Sequence, residues 1–165
     1  MRHTILAVDD EPANLRMVER LLRKEHRVLT ANSGEEALEI LRQEQVSLII
    51  TDQRMPGMNG TEMLRKSMHD APDAARIILT GYTDVEALID AINTSRVYKF
   101  ASKPWDPLEF KQTVEDALRD HETHVEQRRL VRDLLAFVQS HPSLFITETM
   151  LEATRFWRVG CGVSV

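Results

Sequence analysis

The sequence repeats one arrangement five times within its first 125 residues: a short apolar run, a polar turn, and a segment with apolar residues at three- and four-residue steps. Short apolar runs bounded by turn residues are typical of strands buried on both faces. Alternation of such strands with amphipathic helices favours a parallel sheet with helices on both faces. The sequence therefore predicts an α/β, doubly wound domain. Its five strands are expected at residues 4–8, 27–31, 48–51, 76–80 and 97–101.

The predicted helices are defined by their ends and by their apolar faces. Pro12 suits a first helical turn, Asn32 and Ser33 are cap candidates for the second helix, and Pro72 follows the end of the third. The apolar positions of the five helices are Leu15, Val18, Leu21 and Leu22; Ala37, Ile40 and Leu41; Met63, Leu64 and Met68; Val85, Leu88, Ile89 and Ile92; and Leu108, Val114, Leu118, His121 and Val125.

The composition changes beyond residue 120, where a charged run is followed by further apolar residues at helical steps. This pattern predicts an extended C-terminal helix that serves signalling or dimerisation. Because the apolar spacing slips between Val125 and Leu130, packing of the helix back onto the domain is an equal alternative. We expect one folded domain over residues 1–120, a helical extension or linker over residues 121–141, and a tail without an independent domain over residues 142–165.

Bulk properties exclude several classes of function. The formal charge of −5 disfavours direct binding of nucleic acid or of an anionic membrane. No apolar run approaches the roughly 20 residues of a membrane span. Cys161 is the single cysteine and cannot form an internal disulfide, so we expect a cytoplasmic location.

Polar side chains lie at the carboxyl ends of four of the predicted strands. Asp9 and Asp10 follow the first, Asp52 follows the third, Thr80 is the last residue of the fourth, and Lys103 follows the fifth. With strand order 2-1-3-4-5 these ends share one crevice. Three carboxylates brought together repel one another, and Mg²⁺ is the simplest cofactor to neutralise them. Taken singly, each residue has an ordinary explanation as a helix cap, a turn hydroxyl or a solvated lysine.

In their order and on these elements, the five polar residues resemble the site of a response-regulator receiver domain of two-component signalling. The turn after the third strand agrees, because Met55, Pro56, Gly57 and Gly60 fall where the family has its loop. The resemblance covers about three quarters of the chain and implies a flavodoxin-like fold.

The resemblance implies that Asp52 is the phosphoacceptor of a phosphorelay. It would take a phosphoryl group from the phosphohistidine of a sensor histidine kinase or a phosphotransfer protein, and the domain would catalyse that transfer itself. Asp10, Asp52 and the backbone carbonyl of Arg54 would hold Mg²⁺, with Asp9 reaching the ion through water.

The family pattern also assigns the groups that bind and report the phosphoryl group. The Thr80 hydroxyl and Lys103 ammonium would bind its oxygens, helped by the backbone N–H groups of Gln53 and Gly81. Thr80 and Phe100 would then turn inward and change the face made by the fourth helix, fifth strand and fifth helix. This face or the C-terminal helix would form a homodimer. The family further implies a cis peptide bond between Lys103 and Pro104.

Within the family, the residues around Thr80 and Lys103 are most similar to receivers fused to hydrogenase-type transcriptional activators or to HD-GYP phosphodiesterases. This sequence has no Gly-x-x-x-x-Gly-Lys nucleotide loop for an activator output, and we expect no phosphodiesterase metal site. We therefore expect a stand-alone receiver or the front piece of a longer protein.

Two positions depart from the family in a way that bears on phosphoryl lifetime. Arg54 and Tyr82 flank the expected path of the attacking water, and neither is an acid or carboxamide that could orient it. We therefore predict slow autodephosphorylation and no other enzymatic activity.

Two alternatives stay open. One is a pseudo-receiver that acts, unphosphorylated, as an interaction module. The other is an aspartyl-phosphate hydrolase, which would need an acid two residues after its nucleophile, where Arg54 stands.

Overall fold

The computed structural model describes residues 2–81 and 99–141, and within them it has one five-stranded sheet flanked by helices. The strands are β1 (Thr4–Val8), β2 (Arg27–Ala31), β3 (Leu48–Asp52), β4 (Ala75–Thr80) and β5 (Lys99–Ser102). The helices are α1 (Pro12–Leu22), α2 (Gly34–Gln43), α3 (Gly60–Asp70) and α4 (Pro107–Ser140). The predicted fourth helix, Tyr82 and the 142–165 tail lie outside the described residues.

The sheet has the predicted order, β2-β1-β3-β4-β5, and every neighbouring pair is parallel. β3 is buried at all five positions. A strand in the middle of a parallel sheet faces helices on both sides, which is why its sequence is a continuous apolar run rather than an alternating one. The prediction of a doubly wound, flavodoxin-like α/β fold is therefore confirmed.

The core forms two clusters of buried side chains. In the first, residues such as Leu6 and Ile49 pack with the apolar positions of α2 and α3, including Leu41 and Met63. The second joins neighbouring strand positions to the apolar faces of α1 and α4; its members include Ile5, Ile50, Leu15, Val18, Phe110 and Val114. Alternate residues along β1 and β3 thus serve opposite faces, as the two-residue period of a strand requires.

Helix α4 differs in detail from its predicted apolar face. Leu108 is 78% exposed, whereas Phe110, which the periodicity did not select, is 2% exposed and stacks on Trp105 at 4.5 Å between ring centroids. Asp106 caps the helix by accepting from the backbone N–H groups of Leu108 and Glu109. The helix begins at Pro107, so Leu108 lies in its first turn and points away from the core.

The chain divides into two compact units, residues 1–125 and residues 126–165. Helix α4 ends at Ser140, two residues before Pro142. None of the helices within residues 2–81 and 99–141 combines the length and apolarity needed to cross a membrane.

Candidate functional site

The carboxyl ends of four strands lie side by side and bring the predicted polar residues together. Val8 pairs with Thr51, Asp52 with Leu79, and Thr80 with Ser102, so β1, β3, β4 and β5 end at one level. Asp9 and Lys103 each follow the last residue of their strand. The strand order therefore brings these strand ends to one edge of the sheet, as expected.

Lys103 is the centre of this group. Its Nζ lies 3.0 Å from Asp9 Oδ2 and 2.5 Å from Asp52 Oδ1. Burial disfavours the ammonium charge, but the hydrogen bonds and charges of Asp52 and Asp9 outweigh it and raise the pKa of Lys103. The lysine therefore stays protonated at neutral pH and bridges two carboxylates from different strands.

Asp9 is the most enclosed acid of the site, at 3% exposure. Besides Lys103, its carboxylate accepts from the Glu11 N–H at 2.9 Å and from the side-chain amide of Asn14, which lies 3.0 Å from each oxygen. Asp10, the next residue, is exposed. One acid is thus fixed by its surroundings while its neighbour faces solvent.

Asp52 ends β3 and is held by the loop that follows. The Arg54 N–H donates to Asp52 Oδ2 at 2.7 Å. The Gln53 N–H instead donates to the Leu79 carbonyl at 2.9 Å, continuing the β3–β4 ladder. In this state it is therefore Arg54 that presents a backbone donor to the acid, whereas phosphoryl binding by the Gln53 N–H stays a prediction.

Gly60 allows helix α3 to start against the end of β3. A Cβ at this position would lie 2.3 Å from the Asp52 carbonyl oxygen, so no side chain fits. The Gly60 N–H donates to the Gln53 carbonyl at 3.1 Å, and Asn59 closes a capping box with Glu62. The loop carrying Asp52 is thereby tied to a capped helix.

Thr80 and Phe100, the two predicted switch residues, lie on the neighbouring strands β4 and β5. Thr80 is buried, and its hydroxyl donates to the Gly81 carbonyl at 3.1 Å. Phe100 is partly buried and packs against the first core cluster. The peptide bond between Lys103 and Pro104 is cis.

The donor set fits a hard divalent cation. Asp9, Asp10 and Asp52 offer only carboxylate oxygens, the ligands that Mg²⁺ prefers, and Asp10 faces solvent from which the ion can keep its waters. Two of the acids already attract a positive charge, that of Lys103. The chemistry of these residues therefore suits Mg²⁺, although among the described residues only Asp9 and Asp52 are brought together, through Lys103, and the Asp10 carboxylate contacts neither of them.

A second group of possible ligands, Glu25, His26 and Glu115, lies at the other edge of the sheet, with the ligand atoms within 4.8 Å of one another. Here Lys111 Nζ lies 2.5 Å from Glu25 Oε1, and His26 Nε2 lies 3.0 Å from Glu115 Oε1. Each of the three possible ligands thus already has a side-chain partner, so we interpret the group as a structural contact network and not as a metal site.

Sequence reasoning missed Asn14 and the steric role of Gly60. The signal for Asn14 was its place in the first turn of α1, five residues after Asp9, where an amide can reach back to the strand end. For Gly60, the turn composition was noticed, but the 2.3 Å approach to Asp52 depends on the packed position of α3.

An open parallel sheet that gathers carboxylates, a hydroxyl and an ammonium at its carboxyl edge defines the receiver class of signalling module. The family described as the response regulator receiver domain matches residues 5–115, and the chain belongs to that family.

The similar proteins include members of both expected kinds. The hydrogenase transcriptional regulatory protein HoxA of Cupriavidus necator is 38% identical over 131 residues, which are 79% of this chain and 27% of that protein. The solved signal receiver domain of an HD domain-containing protein from Pseudomonas fluorescens is 31% identical, with a TM-score of 0.71, over 74% of this chain and 99% of that one.

A structure titled as adenylate cyclase from Rhodopirellula baltica gives a TM-score of 0.76 at 30% identity, covering 80% of this chain and 98% of that one. The chain spans about a quarter of the length of the HoxA proteins it matches. The prediction of a receiver similar to those of hydrogenase regulators and HD-domain proteins is confirmed.

Proposed function

We propose that the chain is a phosphoacceptor switch in which Asp52 takes a phosphoryl group from a phosphohistidine. The observation that carries the proposal is the Lys103 ammonium in contact with both Asp9 and Asp52 at the sheet edge, with Thr80 on the neighbouring strand. The donor would be a sensor histidine kinase or a phosphotransfer protein.

The transfer needs little covalent chemistry from the protein. An Asp52 carboxylate oxygen attacks the phosphorus, the phosphorus–nitrogen bond to the donor imidazole breaks, and the imidazole keeps the electron pair. The domain contributes position and charge, as is usual for phosphoryl transfer. The Lys103 ammonium already contacts the attacking carboxylate of Asp52. As negative charge moves to the phosphoryl oxygens, the same ammonium can donate hydrogen bonds to them.

The cofactor of this step would be Mg²⁺. Asp10, Asp52 and the Arg54 carbonyl would hold it, with Asp9 acting through water. When bound, the ion neutralises charge on the phosphoryl oxygens.

Phosphorylation at Asp52 would add roughly two negative charges and new acceptor oxygens at the crevice. Thr80 donates its hydroxyl to a neighbouring carbonyl in the present state, and this hydroxyl can turn to a phosphoryl oxygen instead. Movement of Thr80 frees space for Phe100, whose partner position in the sheet is Ile78, two residues before Thr80. The readout would be a change in the surface around β5 and the helices beside it.

Incubation with Mg²⁺ and acetyl phosphate, followed by intact mass, tests this function. A stable gain of one phosphoryl group that disappears in Asp52→Asn supports the switch. Asp133→Asn, which removes an exposed carboxylate from α4, is the matched control and should gain the group normally.

Two other results decide between the alternatives. Turnover of many donor molecules, without a lasting adduct, would support a hydrolase. No gain in mass, with folded protein and bound Mg²⁺, would support the pseudo-receiver that acts only as an interaction module.

The output of the switch is also a proposal. HoxA is described as a hydrogenase transcriptional regulator, and its match covers only part of its length. We propose that the chain likewise controls a partner or a further domain and that it acts in the cytoplasm. We also propose that it has no enzymatic activity beyond the phosphorylation of Asp52 and the slow loss of that phosphoryl group.

A further inference from the structure

The side chain of Asn14 is aimed at the buried carboxylate of Asp9. Its Nδ2 lies 3.0 Å from both Oδ1 and Oδ2, and a longer contact of 3.4 Å joins it to Glu11 Oε2. Because an ionised carboxylate only accepts hydrogen bonds, the amide must present its nitrogen and not its oxygen. Asn14 therefore donates to both oxygens of one acid.

The contacts around Asp9 divide between two sides of the carboxylate. Lys103 contacts Oδ2 alone, and the Glu11 N–H contacts Oδ1 alone. Among the side chains that contact Asp9 in the described part of the chain, only that of Asn14 contacts both oxygens. The Asn14 amide therefore opposes rotation of the Asp9 carboxylate toward the Lys103 ammonium.

We propose that Asn14 is a positioning residue: it holds Asp9 in the orientation required by the cation site and thereby sets the affinity for Mg²⁺. The inference rests on the proposed function for the identity of the ion. It concerns the free state, since Asn14 acts before any phosphoryl donor arrives.

Two physical reasons favour an amide for this task. A neutral donor satisfies a buried carboxylate without adding a positive charge that would repel the ion, as a second lysine would. Asn14 also lies in the first turn of α1, a helix that starts at Pro12 and is anchored in the core by Leu15 and Val18. The donor is thus attached to a rigid element, which limits the freedom of the acid it holds.

Isothermal titration calorimetry of the full chain with MgCl₂ tests the inference without any phosphoryl donor. Asn14→Ala should weaken Mg²⁺ binding by about tenfold, the lower end of the range for partners of metal ligands. The phosphorylation rate with acetyl phosphate should fall at low Mg²⁺ and return to near the wild-type rate when Mg²⁺ saturates.

Gln43→Ala is the matched control, because Gln43 is also an amide that donates to a carboxylate, that of Glu39, at 3.0 Å on an exposed helix surface. It should leave the Mg²⁺ dissociation constant unchanged. If Asn14→Ala does not fold, Asn14→Ser, which keeps a short donor, replaces it and should show a smaller shift in the same direction.

An unchanged Mg²⁺ dissociation constant in a folded Asn14 variant overturns the inference, even if its thermal stability falls. Wild-type protein that binds no Mg²⁺ overturns it as well. Failure of the proposed function looks different: Asn14 would still shift Mg²⁺ binding, but the wild-type chain would gain no phosphoryl group.

Discussion

At the scale of single residues, the site consists of two carboxylates that share the ammonium of Lys103. Asp9 and Asp52 are buried acids on separate strands, and each lies within 3.0 Å of Lys103 Nζ. Burying a carboxylate is costly unless it is paired. The lysine therefore stabilises the domain by the same contacts that, in the proposed function, place it for a phosphoryl group.

We expect Lys103→Met to separate these two roles. Loss of the ammonium leaves two acids facing one another, so Mg²⁺, no longer competing with the lysine, should bind more tightly by calorimetry. Phosphorylation by acetyl phosphate should slow by about 100-fold, because one donor to the phosphoryl group is removed. Transfer at the wild-type rate would show that Lys103 does not contact the phosphoryl group.

Arg54 is the residue we expect to set phosphoryl lifetime. Its N–H contacts Asp52 Oδ2, and its side chain is exposed. Arg54→Asn should shorten the half-life of the adduct severalfold, because a carboxamide can orient an attacking water.

Intact mass at successive times after removal of the donor measures this lifetime. Arg65→Asn, a substitution at an exposed position of α3, is the control and should keep the wild-type half-life. Equal half-lives in all three proteins would contradict the role of Arg54.

At the scale of elements, α3 and β4 are joined by a buried arginine. Arg76 is 1% exposed; its guanidinium donates to the carbonyls of Ala71 at 2.7 Å and Ala74 at 2.6 Å, and to Ser67 at 3.4 Å. Both carbonyls belong to the turn that follows α3, and the Ala71 carbonyl also accepts from the Ala74 N–H at 3.3 Å. Arg76 therefore closes the α3–β4 turn from inside the domain.

Arg76→Met should lower the free energy of unfolding by about 2–4 kcal/mol, because the carbonyls of Ala71 and Ala74 lose the charged guanidinium donor. Urea denaturation followed by circular dichroism measures the change. Arg20→Met, on the exposed face of α1, should change stability by less than about 0.5 kcal/mol. Equal effects of the two substitutions would show that the Arg76 contacts carry no net stability.

At the scale of the whole molecule, the two ends of the sheet differ in chemistry. Histidines gather at the edge opposite the acid site: His3 precedes β1, His26 precedes β2, and His121 comes from α4. The ring centroids of His3 and His26 are 5.9 Å apart, and those of His3 and His121 are 6.3 Å apart. His3 also contacts Glu122 at 3.1 Å and Ser47 at 3.3 Å.

This edge predicts a dependence of stability on pH. Burial lowers the pKa of His3, and the attraction of Glu122 only partly opposes it. The unfolded chain therefore binds the proton at a higher pH than the folded one. Stability should fall as the pH drops below about 6.5 and level off below the folded pKa.

Thermal unfolding between about pH 7.5 and pH 5 measures this slope. We expect His3→Gln to flatten it. His69→Gln, at an exposed side chain, is the control and should not. An identical slope in all three proteins would exclude His3 as its source.

The second unit carries an apolar surface on α4 that predicts self-association. The exposed side chains are Leu130, Val131, Leu134, Leu135 and Phe137, each between 47% and 59% exposed. A helix with such a face is stabilised by pairing with an equivalent helix. Light scattering measures the oligomeric state. A wild-type dimer that Leu134→Glu dissociates and Gln127→Glu leaves intact would support a homodimer through this helix. A monomer at every concentration would exclude one.

Much of the fold followed from local pattern. The apolar runs located all five strands to within two residues at the described ends, and Ser33 caps α2 as its side chain suggested. Leu108 and Phe110 show where sequence periodicity fails to predict burial. The position at which α4 begins decides which side chains of its first turn face the core, and the apolar spacing alone does not give that position.

The sequence by itself determined the alternation of strands and helices and which residue types end the strands, because both depend on neighbours along the chain. Only the tertiary structure decided that Lys103 lies between Asp9 and Asp52, that Asn14 reaches both oxygens of Asp9, and that α3 packs close enough to require glycine at position 60. Such contacts join residues distant in sequence, and their distances depend on the register of the whole sheet.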